Sequence, residues 1–131
     1  MKLLTKSRFK IALECPNKLF YTSKKEYANN KNEDPFLKAL ANGGFQVEEL
    51  ARLHYPNGIF INAENYEYEK AFKLTQVALQ NDNVVIYEAA FLYEGLFIRT
   101  DILVKNGSSI KLIEVKAKSF NPNDEYNFVG A

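Results

Sequence analysis

The sequence predicts a single α/β domain of the α+β kind, in which N-terminal helices precede a three-stranded antiparallel meander. Apolar residues recur at three- and four-residue steps between about residues 34 and 80. They then crowd into three stretches rich in Val, Ile, Phe and Tyr between residues 84 and 118, separated by turn residues. The 131 residues suffice for one core and leave no room for a second. Hydrophobic residues at 47% and charged residues at 25% belong to a folding globular chain rather than a disordered or coiled-coil one.

Residues 1–31 read as a basic helical arm. Thr5 or Ser7 can cap a short helix with Phe9, Ala12 and Leu13 on one face, and Pro16 either ends it or starts another carrying Leu19 and Phe20. Lys24 to Glu33 is polar and reads as loop. Asp34–Pro35 is a helix start, a capping carboxylate before a proline at the first helical position. From it Phe36, Leu37, Leu40, Gly44, Val47, Leu50, Ala51 and His54 form one stripe, so a core helix is expected over residues 34–55. Glycines inside a helix cost about 1 kcal/mol each relative to Ala. Gly43–Gly44 therefore predicts either a break or the close approach of another backbone. A further helix is expected over 64–80, stopped by Asn81-Asp82-Asn83. Strands follow at Val84–Tyr93, Leu96–Lys105 and Ile110–Lys118, joined by Glu94-Gly95 and Asn106-Gly107-Ser108-Ser109. Residues 119–131 show no periodicity and read as a loop or the start of a further helix.

Charge and composition exclude several chemistries. Lys and Arg number 17 and Asp and Glu 16, so bulk charge points to no partner class. The distribution is uneven, however: residues 1–31 carry +6 and the rest −5. No apolar run reaches the roughly 18–20 residues of a membrane span, and the early cations interrupt any signal peptide, so a cytoplasmic protein is expected. A single cysteine, Cys15, excludes an intrachain disulfide and cannot form a Cys-rich metal site, and it reads as a small buried hydrophobe. The only histidine, His54, reads as a packed or surface residue rather than a ligand. No phosphate-cradling glycine loop or nucleophile elbow occurs. Any metal must therefore be held mainly by oxygen.

The strands supply that oxygen through their register. If Glu94-Gly95 is a two-residue turn, Tyr93 pairs with Leu96 and Glu88 falls opposite Asp101. If Asn106 to Ser109 is a four-residue turn, Lys105 pairs with Ile110 and Asp101 falls opposite Glu114. A tighter Asn106-Gly107 turn would put Leu112 opposite Asp101 but keep Glu114 and Lys116 on the same face. Opposed carboxylates have Cβ atoms about 4.5–5.5 Å apart and destabilise a sheet unless neutralised. A divalent cation such as Mg²⁺ suits such a row, with Lys116 beside it to orient water or stabilise charge on a phosphate. Without metal, at least one of these carboxylates should have a raised pKa.

These residues carry a resemblance. Asp101 followed by Glu114-Val115-Lys116, on strands after a helix bearing Glu48 and Glu49, resembles the PD-(D/E)XK nuclease superfamily. Leu4-Thr5-Lys6-Ser7-Arg8-Phe9 leading to Cys15-Pro16 is similar to the opening of its RecB-like members, including CRISPR-associated RecB-like exonucleases. Gly44-Phe45-Gln46-Val47-Glu48-Glu49-Leu50-Ala51, Glu88-Ala89-Ala90-Phe91 and Arg99-Thr100-Asp101-Ile102-Leu103 are similar to a bacterial family of uncharacterised function in the same group. The resemblance implies a restriction-endonuclease-like αβββ core, incomplete at the C-terminus, that hydrolyses DNA phosphodiesters with Mg²⁺ or Mn²⁺. Asp101, Glu114 and Lys116 would be catalytic. Asp101, Glu114, Glu88 and Glu49, or Glu48 in its place, would hold the metal, with Glu49 slightly preferred. Relatives carry a Gln-x-x-x-Tyr helix and often three further cysteines that bind a 4Fe–4S cluster. Neither follows here, so no cluster is expected from Cys15 alone, and a missing segment or partner protein is implied.

Alongside that resemblance, the basic arm supplies candidate DNA contacts in Arg8, Lys18, Lys24, Lys25 and Tyr21, where rings can stack bases and ammoniums can hold phosphates. A solvated basic face over aromatic core residues is the competing reading. The alternative function is a catalytically inactive nuclease-fold module that binds nucleic acid or a protein partner.

Overall fold

The computed structural model describes residues 3–22, 24 and 34–117. The loop expected from Lys24 to Glu33, Lys25 with it, and the tail from 118 onward lie almost wholly outside these residues. The described elements are β1 (Leu4–Thr5), α1 (Lys6–Glu14), α2 (Pro16–Tyr21), α3 (Pro35–His54), β2 (Ile59–Phe60), α4 (Tyr68–Ala78), β3 (Asn83–Tyr93), β4 (Leu96–Asn106) and β5 (Ser109–Ile113).

The β3–β4 hairpin organises the sheet. Glu94 and Gly95 both have positive φ, 45° and 79°, which lets two residues reverse the chain with the twist the strands require. Tyr93 pairs with Leu96 as the two-residue turn demands. On the other edge of β4, Lys105 pairs with Ile110, the register of the four-residue count. The turn itself is tighter than expected, because Asn106 also pairs with Ser109, leaving Gly107 and Ser108 to turn.

The expected three-stranded meander is widened into a five-stranded mixed sheet. β1 runs parallel to β4 at Leu96 and Phe97, and β2 parallel to β3 at Ile86 and Tyr87. Two-residue strands have no periodicity of their own to read. They form because each long strand leaves unpaired N–H and C=O groups along an edge. β1 and β5 thus share one edge of β4, at its beginning and its end, with a gap over residues 98–101 that includes Asp101.

Small residues let α4 lie close on β3. Ala71, Thr75 and Ala78 are buried against Ile61, Ile86, Ala89, Ala90, Phe97 and Leu103, and the Tyr68 and Phe97 rings meet edge to face at 4.7 Å. Thr75 Oγ1 donates to the Ala71 carbonyl and accepts from the Ala90 N–H, pairing a buried strand donor beyond the reach of short β2. The helix starts at Tyr68 rather than Glu64. Residues 64–67 are used instead in a turn, where the Glu67 carboxylate accepts from the Glu64 N–H at 2.9 Å.

α3 begins as expected, the Asp34 carboxylate accepting from the Phe36 N–H at 2.9 Å ahead of Pro35. It runs unbroken through Gly43-Gly44. A Cβ at either glycine would meet nothing within 4 Å, so neither a break nor a close approach accounts for them. No α3 residue is fully buried: Gly43, Gly44, Val47, Glu48, Ala51 and Arg52 are half-buried, while its first two turns are exposed. Tyr87 fastens the end of this helix, its hydroxyl donating to the Tyr55 carbonyl at 2.5 Å and accepting from the Gly58 N–H at 3.1 Å. Only glycine fits there, because a Cβ on Gly58 would overlap the Tyr87 ring.

Thr5 caps α1, accepting from the Arg8 N–H, and Pro16 starts α2. Cys15 is exposed, contrary to the buried reading. It lies in extended backbone between α1 and α2, where the chain turns at the surface.

Candidate metal centre

Three elements bring three carboxylates together. Glu48 of α3, Glu88 of β3 and Asp101 of β4 each offer an oxygen within 4.8 Å of the others, and all three are half-buried. Asp101 shares its sheet face with Arg99, Phe97 and Leu103 by strand alternation, so the cluster lies at the border of the main core.

Glu88 reaches this position through a distorted backbone. The β3–β4 register places it opposite Asp101, yet the ladder skips that one pair between Tyr87↔Ile102 and Ala89↔Thr100. Its φ is +63°, in the left-handed region that costs a non-glycine residue on the order of 1–2 kcal/mol. The regular alternation fails at the same point, Ala89 and Ala90 both being fully buried.

Cations surround the cluster. Arg52 Nη2 lies 3.8 Å from Glu48 and 3.7 Å from Glu88, and Arg99 Nε lies 3.6 Å from Glu88. Arg52 stacks over the Phe60 and Tyr87 rings at 5.3 and 5.2 Å, and Arg99 also reaches the Ile61 and Ala63 carbonyls at 3.3–3.4 Å. Burial holds the Glu48 carboxyl above its ordinary pKa, reinforced by Asp101 and Glu88 and opposed by Arg52. The sequence placed a raised carboxyl among the strand carboxylates; the raised one found here is Glu48, on the helix, which that expectation did not include.

The helix residue that joins the cluster is Glu48, the alternative to the slightly preferred Glu49. Glu49 is exposed and lines the neighbouring cleft without joining the trio. The helical phase explains this: Glu48 lies one turn from Gly44 and Arg52 on the half-buried side, and Glu49 is rotated about 100° from it.

Glu114 also stands apart from the trio. β5 ends at Ile113, short of the expected Lys118, because the Asp101 carboxylate accepts from the Val115 N–H at 2.6 Å where a ladder bond would continue. Glu114 turns to Lys6 and forms an ion pair across the gap between β1 and β5. It remains close enough to push the Glu48 pKa upward. Lys116 is exposed and forms no ion pair with the trio.

Among the described residues of the basic arm, Lys6 alone pairs with a motif carboxylate. Lys18 pairs with Glu14 at 2.9 Å, Lys24 lies over the Phe20 and Tyr21 rings, and Arg8 is half-buried in α1. None of Arg8, Lys18, Tyr21 and Lys24 lines the cleft beside the carboxylates, and Lys25 lies outside the described residues. His54 is exposed in the last turn of α3.

That cleft encloses about 310 Å³ between Phe45, Glu48, Glu49 and Arg52 of α3, Phe60, Ala63 and Asn65 after it, and Glu88 and Arg99 of the sheet. Sequence reasoning missed Arg52 and Arg99. The four-residue spacing of Glu48 and Arg52 was the available signal for the first. No helix among the described residues is long and apolar enough to cross a membrane. Comparison of the chain with protein-family models, curated proteins and solved structures gave no match.

Proposed function

We propose that the chain is a Mg²⁺- or Mn²⁺-dependent DNA phosphodiesterase domain of the RecB-like PD-(D/E)XK kind. The convergence of Glu48, Glu88 and Asp101 carries this reading. The donor set fits such an ion: it is oxygen only, and its spread within 4.8 Å compares with the roughly 4.2 Å between opposite ligands of a six-coordinate Mg²⁺. When bound, the ion would supply Lewis acidity toward a phosphoryl oxygen and a water of lowered pKa.

The chain's own residues would do the remainder. Asp101, Glu88 and Glu48 would hold the ion, Asp101 being oriented by its bond to the Val115 N–H. Lys116, two residues beyond Glu114, is the cation that can follow charge developing on the phosphate. Glu114, paired with Lys6 through one carboxylate oxygen, would be the fourth carboxylate available to the ion.

A non-cleaving binding module is the second reading. One observation favours it: Arg52, Arg99 and Lys6 already neutralise much of the acidic charge without any metal. Melting with and without Mn²⁺, beside a DNA cleavage assay, decides between them. On the nuclease reading, Mn²⁺ at 100 times its dissociation constant stabilises wild type by about 2.7 kcal/mol, and Asp101→Asn loses both that gain and cleavage. Equal melting of the two proteins with and without Mn²⁺ leaves only the binding module.

A further inference from the structure

Glu88 is held by two guanidiniums, and neither is fully engaged. Arg52 and Arg99 approach opposite oxygens of its carboxylate at 3.7 and 3.6 Å, outside the 2.7–2.9 Å of a charge-assisted hydrogen bond. Arg99 Nε is also buried from solvent without a hydrogen-bond partner. Both side chains are anchored elsewhere, Arg52 on the Phe60 and Tyr87 rings and Arg99 on the Ile61 and Ala63 carbonyls. Their position therefore does not depend on Glu88 alone, and both line the cleft.

Formal charge gives this arrangement a direction. Three carboxylates against two guanidiniums leave the centre at −1. The same groups with a divalent cation total +1, which complements a phosphodiester carrying one negative charge.

Resting on the nuclease reading above, we infer that Arg52 and Arg99 act as place-holding cations that become the phosphate-binding groups of the cleft once the carboxylates turn to a metal. In the metal-free protein they offset the strained backbone and the repulsion at Glu88. When Glu88 engages a divalent cation they lose their counter-charge while staying anchored, so the nitrogens that face Glu88, Arg52 Nη2 and Arg99 Nε, are left to donate to a phosphate oxygen entering beside it. They are positioning residues toward the metal and binding residues toward the substrate. Their removal therefore moves the two affinities in opposite directions.

Arg99→Gln tests this, with Mn²⁺ affinity measured by calorimetry and a short fluorescent single-stranded oligodeoxynucleotide followed by anisotropy in Ca²⁺. Loss of a competing, partly exposed cation should tighten Mn²⁺ binding about fivefold. Loss of charged hydrogen bonds to phosphate should weaken the oligonucleotide about tenfold or more. A merely structural arginine would weaken both. If wild type binds Mn²⁺ and Arg99→Gln binds it equally or less well, the place-holding role is overturned and the metal centre stands. If wild type binds no Mn²⁺, the nuclease reading fails and takes this inference with it. Arg99→Lys covers the case in which the glutamine variant does not fold: retained charge should leave Mn²⁺ affinity near wild type while the lost fork weakens the oligonucleotide. Mn²⁺ binding tightened in the lysine variant, with its charge intact, would overturn the electrostatic account.

Discussion

α3 and α4 flank the same sheet and are both amphipathic, yet they contact it in opposite ways. α4 presents Ala71, Thr75 and Ala78, all buried, and seals the core through close backbone approach. α3 buries nothing completely, leaves Phe36, Phe45, Leu50 and Leu53 between 61% and 75% exposed, and meets the sheet through Glu48 and Arg52. Small side chains make α4 an element of stability. Paired charges make α3 an element that positions a site. A close-packed interface tolerates little change in volume, whereas a charged one responds to ions and pH.

Truncating the core under α4 should have the largest effect. Leu103→Ala removes a fully buried side chain and should cost about 2–5 kcal/mol in denaturant unfolding, whereas Leu53→Ala on exposed α3 should change stability by less than about 0.5 kcal/mol. Similar losses would mean that α3 is packed as tightly as α4. Thr75→Val refines the comparison. It preserves shape but leaves the buried Ala90 N–H without its acceptor, an expected cost of about 1–3 kcal/mol.

A smaller effect of opposite sign is expected on α3. Gly44 has helical backbone with open space where a Cβ would go, so Gly44→Ala should stabilise the chain by about 0.5–1 kcal/mol. A destabilised variant would point to a contact made by α3 outside the described residues.

The same contrast explains what could be read from sequence. The long strands and their register followed from Glu94-Gly95 and from alternation, and α3 from Asp34-Pro35, because these signals are local. β1 and β2 were missed since two-residue strands exist only through their partners. Glu88 and Asp101 could be placed opposite one another by counting, but the left-handed backbone at Glu88 could not. Its trace in the sequence is the adjacent pair Ala89-Ala90, small residues on consecutive positions where a half-buried strand should alternate. Arg52 and Arg99 came from different elements, and only tertiary structure brings them to one carboxylate.

The smallest effect separates two carboxylates by the sign of their pH dependence. Burial, Asp101 and Glu88 raise the pKa of Glu48 on α3. Its contribution to folding is therefore fully present below the ordinary carboxylate pKa and is lost as pH rises through the higher folded value. Glu67 before α4 is lowered by the Glu64 N–H and by Lys70, so its contribution is present above the ordinary value and is lost as pH falls through the folded one. Metal-free Glu48→Gln should accordingly melt higher than wild type at neutral pH, with the advantage shrinking toward acid. Glu67→Gln should melt slightly lower at neutral pH and converge with wild type in acid. Added Mn²⁺ should reverse the order for Glu48 alone, because only there does the ionised carboxylate gain a ligand to hold. Parallel curves for the two variants across the carboxylate range would show that α3 and α4 place their acids in equivalent surroundings, and the contrast between the helices would fail at its most sensitive point.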